Sequence, residues 1–322
     1  MKFIVTGGAG FIGHNVVRNL EALGHECFVL DSVTNYGFLN KIEVKYLHKQ
    51  RISRMRAGCH HVDLREHKQV EDFFRSFAGS CSAVIHLASF PRQKAVSKNP
   101  IWASDVMGSA LVNLLELTRA FRIPKFVYIS SSMVYGDFTD GVTEDAVCKP
   151  QGQYGIMKLM GEDLVRDYTK RGCFDHTIIR PSAVYGECDV EDRVVSKFIL
   201  TALRGEPLKV NGATERLDFT HVDDTAMGIT QAVLSANAAN KTYNITRSNG
   251  RSLSEAAHMI VDMIGKGTVE LCDRDLSFPS RGALDISAAQ QDFDYAPKMD
   301  IEQGFADYIK WFKNSNYWKA KL

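Results

Sequence analysis

The stretch QYGIMK, residues 153–158, sets a phenol and an amine four places apart. On a helix that spacing lays Tyr154 and Lys158 on one face, one turn from each other. A free tyrosine has a pKa near ~10 and is no base at neutral pH unless nearby positive charge favours its phenolate. Lys158 could supply that charge, which would make the pair a proton-abstracting group. Two ordinary residues on a helix surface satisfy the same spacing, so the rest of the chain has to discriminate.

Such a pair needs a frame. Short apolar runs at Lys2–Thr6, Glu26–Leu30, Ala83–Leu87, Lys125–Ser130 and Thr177–Arg180 read as strands. Helical patterns fill the gaps near Ile12–Leu23, Val70–Phe77, Ile101–Phe121 and Tyr154–Arg171. Strand–helix alternation predicts an α/β fold, a doubly wound parallel sheet of the Rossmann type, over residues 1–180. After Pro181 the rhythm changes, with a helix expected over Glu191–Leu203 and another ending at YIKWFK. Residues 181–322 are therefore expected to form mainly a smaller C-terminal substrate-binding lobe, with some segments returning to the first domain.

KFIVTGGAGFIGHNVVRNL is strand, glycine turn and helix, the context in which Gly8-Ala-Gly10-Phe-Ile-Gly13 reads as a dinucleotide fingerprint. Gly7, Gly10 and Gly13 would let the backbone approach a pyrophosphate, and Phe11 and Ile12 open the helix whose free N–H groups meet its charge. Asp31 ends the second strand, 18 residues beyond Gly13. A carboxylate there accepts hydrogen bonds from the adenosine ribose and repels a 2′-phosphate. Ser32 to Asn35 contain no arginine to hold such a phosphate, so NAD is the expected cofactor. A plain glycine turn and a turn-forming aspartate are the bland alternatives.

Composition narrows the partners. The 322 residues are 45% hydrophobic and 24% charged, with 39 Lys/Arg against 38 Asp/Glu. That balance creates no general field for nucleic acid or for a membrane surface, and no apolar run reaches spanning length. Seven scattered cysteines show no metal spacing and, with no secretory signal, imply reduced thiols and a cytoplasmic setting. No metal site is expected. The basic segment 41–56 reads more readily as a solvated helix face than as a phosphate site.

FIVTGGAGFIG, Asp31, HVDLRE, VIHLAS, ISSSMVYG, YGIMK, IIRPSAVYG and LDFTHVDD occur in that order along nearly the whole chain. Together they resemble the extended short-chain dehydrogenase/reductases, in particular the nucleotide-sugar epimerase and dehydratase group. The resemblance implies that Tyr154 and Lys158 are catalytic and also bind the cofactor, Lys158 at the nicotinamide ribose, and that Ser131 hydrogen-bonds the reacting hydroxyl, with Ser130 or Ser132 as one-place alternatives. It places Asp63 and Leu64 beside adenine, has Leu87, Ala88 and Ser89 lining the cofactor, and sets Pro181 and Ser182 near the nicotinamide. It also implies a homodimer, built as a four-helix bundle from helices matching 101–121 and 154–171.

Within that group, dehydratases carry acidic residues just after the active-site Ser/Thr, where this chain has Ser132 and Met133. A thioether relays no proton, which disfavours dehydration. The expected activity is an NAD-dependent nucleotide-sugar 4-epimerase working through a transient 4-keto sugar. The alternatives are a C4 dehydrogenase or ketoreductase that releases the ketone, a reductase of a steroid or flavonoid, and a non-catalytic NAD sensor. Arg216 is the first candidate for the pyrophosphate of a nucleotide-diphosphate sugar, because guanidinium matches phosphate oxygens in pairs, and Arg281 is the second. Ala183, Asp105 and the Arg216–Leu217–Asp218 order depart from the group's usual residues and point to an unusual sugar or nucleotide.

Overall fold

A computed structural model describes residues 1–35, 39–90 and 92–321. Its centre is a sheet of seven parallel strands. In chain order the first elements are β1 (Lys2–Thr6), α1 (Gly13–Ala22), β2 (Glu26–Asp31), α2 (Lys41–Ile52), β3 (Cys59–His61), α3 (His67–Phe77) and β4 (Ala83–His86). There follow α4 (Gln93–Lys98), α5 (Pro100–Ser104), α6 (Ala110–Ala120), β5 (Lys125–Ile129), α7 (Gly152–Lys170), β6 (Asp175–Pro181) and α8 (Val194–Leu203). Across the sheet the order is Lys241–Ile245, β6, β5, β4, β1, β2, β3.

The strands are apolar almost end to end because both faces are covered. Val5, Val29, Ile85, Val127 and Ile179 point to the side occupied by α1 and the helix Val222–Leu234. Ile4, Leu30, Val84, Phe126 and Ile178 point to the side occupied by α3, α6 and α7. A period of two within each run thus feeds two cores, as parallel strands require. The chain lays β2 and β3 on one side of β1 and β4 on the other, so the order reverses between β1 and β4. In open α/β sheets a ligand crevice opens beyond the strand ends at such a reversal. A third core, including Phe198, Leu208, Ile260, Phe305 and Trp318, consolidates residues after Pro181.

Three elements differ from the sequence expectation. The helix expected from Glu191 begins at Val194, because Arg193 has extended backbone and serves as its N-cap. The helix expected over Ile101–Phe121 is interrupted by a wider π-turn at Asp105–Ser109. Segment 41–56 does contain a helix, yet it is not merely a solvated face: Glu43, Leu47 and Arg51 are buried, with Arg51 donating twice to the carbonyl of Cys188 at 3.1 and 2.7 Å. Its charged residues satisfy partners far along the chain, which local charge counting does not see.

Candidate active site

One cavity of about 1000 Å³ runs from the glycine turn to the C-terminal part of the chain. At its nucleotide end the turn after β1 is tightly constrained. Gly7 has φ of +70°, and a Cβ there would lie 2.5 Å from the backbone nitrogen of Ala88. A Cβ on Gly13 would lie 2.2 Å from the carbonyl oxygen of Gly7. Helix α1 begins without a side-chain cap, which leaves its N-terminal dipole available to an anion.

Asp31 closes this end. Its carboxylate accepts from the amides of Ala9 at 3.1 Å and Val33 at 2.8 Å, tying the end of β2 to the glycine turn. Burial raises its pKa, and those two amides oppose the rise. Asn35 donates through Nδ2 to the Leu39 carbonyl at 2.8 Å, while its buried Oδ1 has no partner. A free acceptor beside a carboxylate suits ribose hydroxyls, so these residues fit the dinucleotide. Ser32, Asp63, Leu64, Leu87, Ala88, Ser89 and Pro181 line the same cavity. Asp63 is held by Arg65, with Nη2 to Oδ2 at 2.6 Å, which lowers its pKa.

Tyr154, Lys158 and Ser131 meet where β5 ends and α7 starts. The fold of that start is enforced from a distance: Oε1 of buried Gln93 accepts the Tyr154 amide at 3.1 Å. The Lys158 ammonium donates to the Ile129 carbonyl at 2.8 Å and lies 5.9 Å from the centre of the Tyr154 ring. The three serines face different ways. Ser130 donates to Glu162 at 2.6 Å, Ser132 donates to Ser182 at 3.0 Å, and Ser131 hydrogen-bonds to Tyr154 while accepting the Met133 amide at 3.2 Å.

The electrostatics carry a consequence that the local sequence does not express. Burial lowers Lys158 to about 7, and Glu162 opposes that change. Burial raises the Tyr154 phenol above its ordinary value, opposed by the charge of Arg193 and by Ser131. Both groups are pushed toward neutrality by the same dry wall. Tyr154 therefore keeps its proton in the resting protein at neutral pH, and further positive charge is required before it acts as a base.

The substrate half is lined by Met133, Ser132, Arg193, Arg216, Arg274 and Arg281, among others. Arg216 donates to the Gly250 carbonyl at 2.8 Å and pairs with Asp140 at 3.1 Å, its side chain 46% exposed. Arg281 differs: its Nε is buried without a partner, and burial lowers its pKa to about 10. Sequence reasoning singled out both arginines but missed Arg193 and Gln93. Arg193 sits in the charged run DVEDRVVSK with its side chain 46% exposed, and nothing local marks it as the charge that acts on Tyr154. Gln93 reaches Tyr154 across 61 positions. Among the described residues no group of three His, Cys, Asp or Glu could hold a metal ion.

With this geometry in place, the comparisons are direct. A family model described as the NAD dependent epimerase/dehydratase family matches residues 3–246. The chain is 28% identical to an uncharacterized UDP-glucose epimerase of Bacillus subtilis, over 98% of each chain. It is 29% identical to a putative UDP-glucose 4-epimerase of Methanocaldococcus jannaschii, over 97% of this chain and 99% of the other. The crystal structure of UDP-glucuronic acid 4-epimerase from Bacillus cereus, with UDP-glucuronic acid and NAD, is similar at a TM-score of 0.87 and 26% identity, covering 97% of this chain and 99% of that one. The glycine turn, Asp31 and the Tyr–Lys pair thus stand in a chain that belongs to the NAD-dependent epimerase/dehydratase family.

Proposed function

We propose that the chain is an NAD-dependent nucleotide-diphosphate sugar 4-epimerase, with Tyr154, Lys158 and Ser131 as its catalytic residues. The observation that carries this is the convergence of those three side chains on one cavity wall, between the glycine turn and Arg281, whose buried Nε has no partner. Bound NAD would supply a hydride acceptor and donor together with a positive ring. Ser131 holds the sugar 4-hydroxyl, and Tyr154 accepts its proton as the carbon is oxidised. The phenol then returns that proton to the carbonyl oxygen when the opposite face of the 4-keto sugar is reduced. Lys158 and Arg193 favour the phenolate through their charge.

Gly7, Gly10, Phe11, Ile12 and Gly13 hold the pyrophosphate of the cofactor, and Asp31, Ser32 and Asn35 hold its ribose. Arg281 and Arg216 take the diphosphate of the substrate, with Arg281 as the stronger contact because its buried Nε has no partner, Glu215 acting on it by charge without an ion pair among the described residues. Met133, 6% exposed on the cavity wall, stands where a dehydratase needs an acid, so water elimination has no donor there. Residues 1–180 form the cofactor domain and 181–322 mainly the substrate lobe, with Lys241–Ile245 returning to the sheet. Ile101, Val112, Ile156 and Met160 leave an exposed apolar stripe on α5, α6 and α7, which supports a homodimer through a four-helix bundle. Seven unpaired cysteines accord with a reducing cytoplasm.

The test is to incubate the purified chain with UDP-, GDP-, CDP- and dTDP-sugars, following product stereochemistry and NADH absorbance. A C4 isomer without net NADH is the expected result. Stoichiometric NADH would make the chain a dehydrogenase, and no turnover on any sugar would leave an NAD sensor.

A further inference from the structure

Behind Lys158 lies a buried carboxylate that the mechanism above does not use. Glu162 is one turn further along α7 and has no exposure to solvent. Its oxygens accept from Ser130 Oγ at 2.6 Å, from Arg180 Nε and Nη2 at 2.9 and 2.7 Å, and from Arg166 Nη2 at 2.8 Å. Ser130 lies between Ile129, whose carbonyl receives the Lys158 ammonium, and Ser131, which meets Tyr154. One carboxylate thereby grips the short turn that aims two of the three catalytic groups. It is bonded by two guanidiniums, Arg166 and Arg180, and its charge acts on Lys158 one turn back along the helix.

We propose that Glu162 is a positioning residue for Lys158, fixing the Ile129–Ser131 turn through Ser130 and supplying the counter-charge that keeps the ammonium protonated beside Tyr154. This rests on the catalytic reading of Tyr154 and Lys158. Arg180 neutralises part of the carboxylate from β6, where it also donates to the Tyr135 hydroxyl at 2.9 Å. Arg166 does so from the surface side of α7, where its side chain is 30% exposed and it also pairs with Asp163 at 3.2 Å.

Other groups pack around Lys158 and contribute no charge at neutral pH. From β5 the Tyr128 ring lies 5.3 Å from the ammonium, and burial raises its phenol far above the usual value. From β4 His86 bonds to Thr6 at 2.7 Å, and burial with the nearby Lys158 lowers it to about 3. Tyr154 on the same helix is raised as well. Burial lowers the Lys158 pKa, and among the described residues the charge of Glu162 opposes that fall.

The experiment is a pair of pH–rate profiles with opposite signs. Glu162→Gln removes the counter-charge, so the alkaline limb of kcat/KM, where the ammonium is lost, should move down by about one pH unit or more. Arg166→Gln removes an opposing cation from the partly exposed side, so the limb should move up by a few tenths of a unit or more. A residue that only braces the fold would lower the rate at every pH and move neither limb. Unmoved limbs, or limbs displaced in the same direction, overturn the proposal. If Glu162→Gln does not fold, the upward shift in Arg166→Gln decides alone. A wild type inactive on all nucleotide sugars would bring down the enzyme assignment instead. The Lys158 titration, read by NMR on protein labelled with 15N-lysine, would then test the counter-charge without turnover.

Discussion

The two ends of the cavity are built on different physical terms. The proposed nucleotide end is lined by backbone amides and short side chains, centred on the stretch from Thr6 to Asn35 and completed by residues such as Asp63, Ala88 and Ser89. Glycine geometry leaves that turn little choice, and Asp31 has its oxygens fixed by two amides. The proposed substrate end is lined by long cationic side chains scattered between residues 193 and 281. Several are held by exposed ion pairs, such as Arg216 with Asp140 and Lys197 with Asp192. Pairs of that kind contribute about 0–1 kcal/mol each, so they can give way to a phosphate without destabilising the fold. One end is rigid before its ligand arrives; the other can exchange its internal partners for the ligand's.

The catalytic wall joins the two ends, and breaking it should give the largest effect. Tyr154→Phe removes the proton acceptor but leaves the ring in its pocket. Turnover should fall by about 10²–10⁴-fold. NAD binding, followed by isothermal titration, should stay within about threefold of wild type, because Lys158, Asp31 and the glycine turn are untouched by the substitution. A variant with undiminished turnover would remove Tyr154 from the chemistry.

Arg281→Ala probes the substrate end at its unpaired cation. Losing a charge-assisted contact of ~1.5–3 kcal/mol corresponds to a KM for the nucleotide sugar about 10- to 100-fold higher. The free protein should not suffer, since burying an unpartnered Nε costs desolvation energy that alanine abolishes. Calorimetry should therefore find Tm unchanged or raised. A lower Tm with an unaltered KM would make Arg281 a structural residue.

Asp31→Ala tests the other end and should act on the cofactor alone. Loss of the ribose acceptor should weaken NAD about tenfold and erode discrimination against the 2′-phosphorylated cofactor. The KM for the sugar, measured with saturating NAD, should hold. An unchanged cofactor preference would break the assigned separation of the two ends.

These ends also differ in how far they could be read from the chain alone. The glycine turn, Asp31 and the Tyr–Lys pair could be singled out as candidates because each proposed role fixes residue types at short spacing, and the fold brings them to one cavity. The sheet was legible because its strands, covered on both faces, are continuous apolar runs. Arg193 and Gln93 were not, since each reaches Tyr154 through the fold. Arg51 shows the same limit: Ser32 to Asn35 hold no arginine, yet α2 brings this guanidinium close enough to oppose the burial-driven rise in the Asp31 pKa. It is committed to the Cys188 carbonyl, which leaves the NAD expectation intact. The three serines could not be told apart by spacing, and only their partners separate them.

Arg216→Ala is the finest test of the comparison. Sequence reasoning ranks this arginine first for the substrate pyrophosphate, whereas its surroundings argue for a smaller share. Its guanidinium already bonds the Gly250 carbonyl and Asp140, and nearly half of the side chain is exposed. Binding a phosphate there means giving up the ion pair, so much of the new attraction replaces an old one. The KM for the nucleotide sugar should rise by about two- to fivefold, a difference of ~1 kcal/mol or less, with NAD affinity unmoved. A rise as large as that of Arg281→Ala would show that exposed, paired cations and buried, unpaired ones serve the substrate equally. The contrast between exchangeable and fixed contacts would then fail within the substrate end itself.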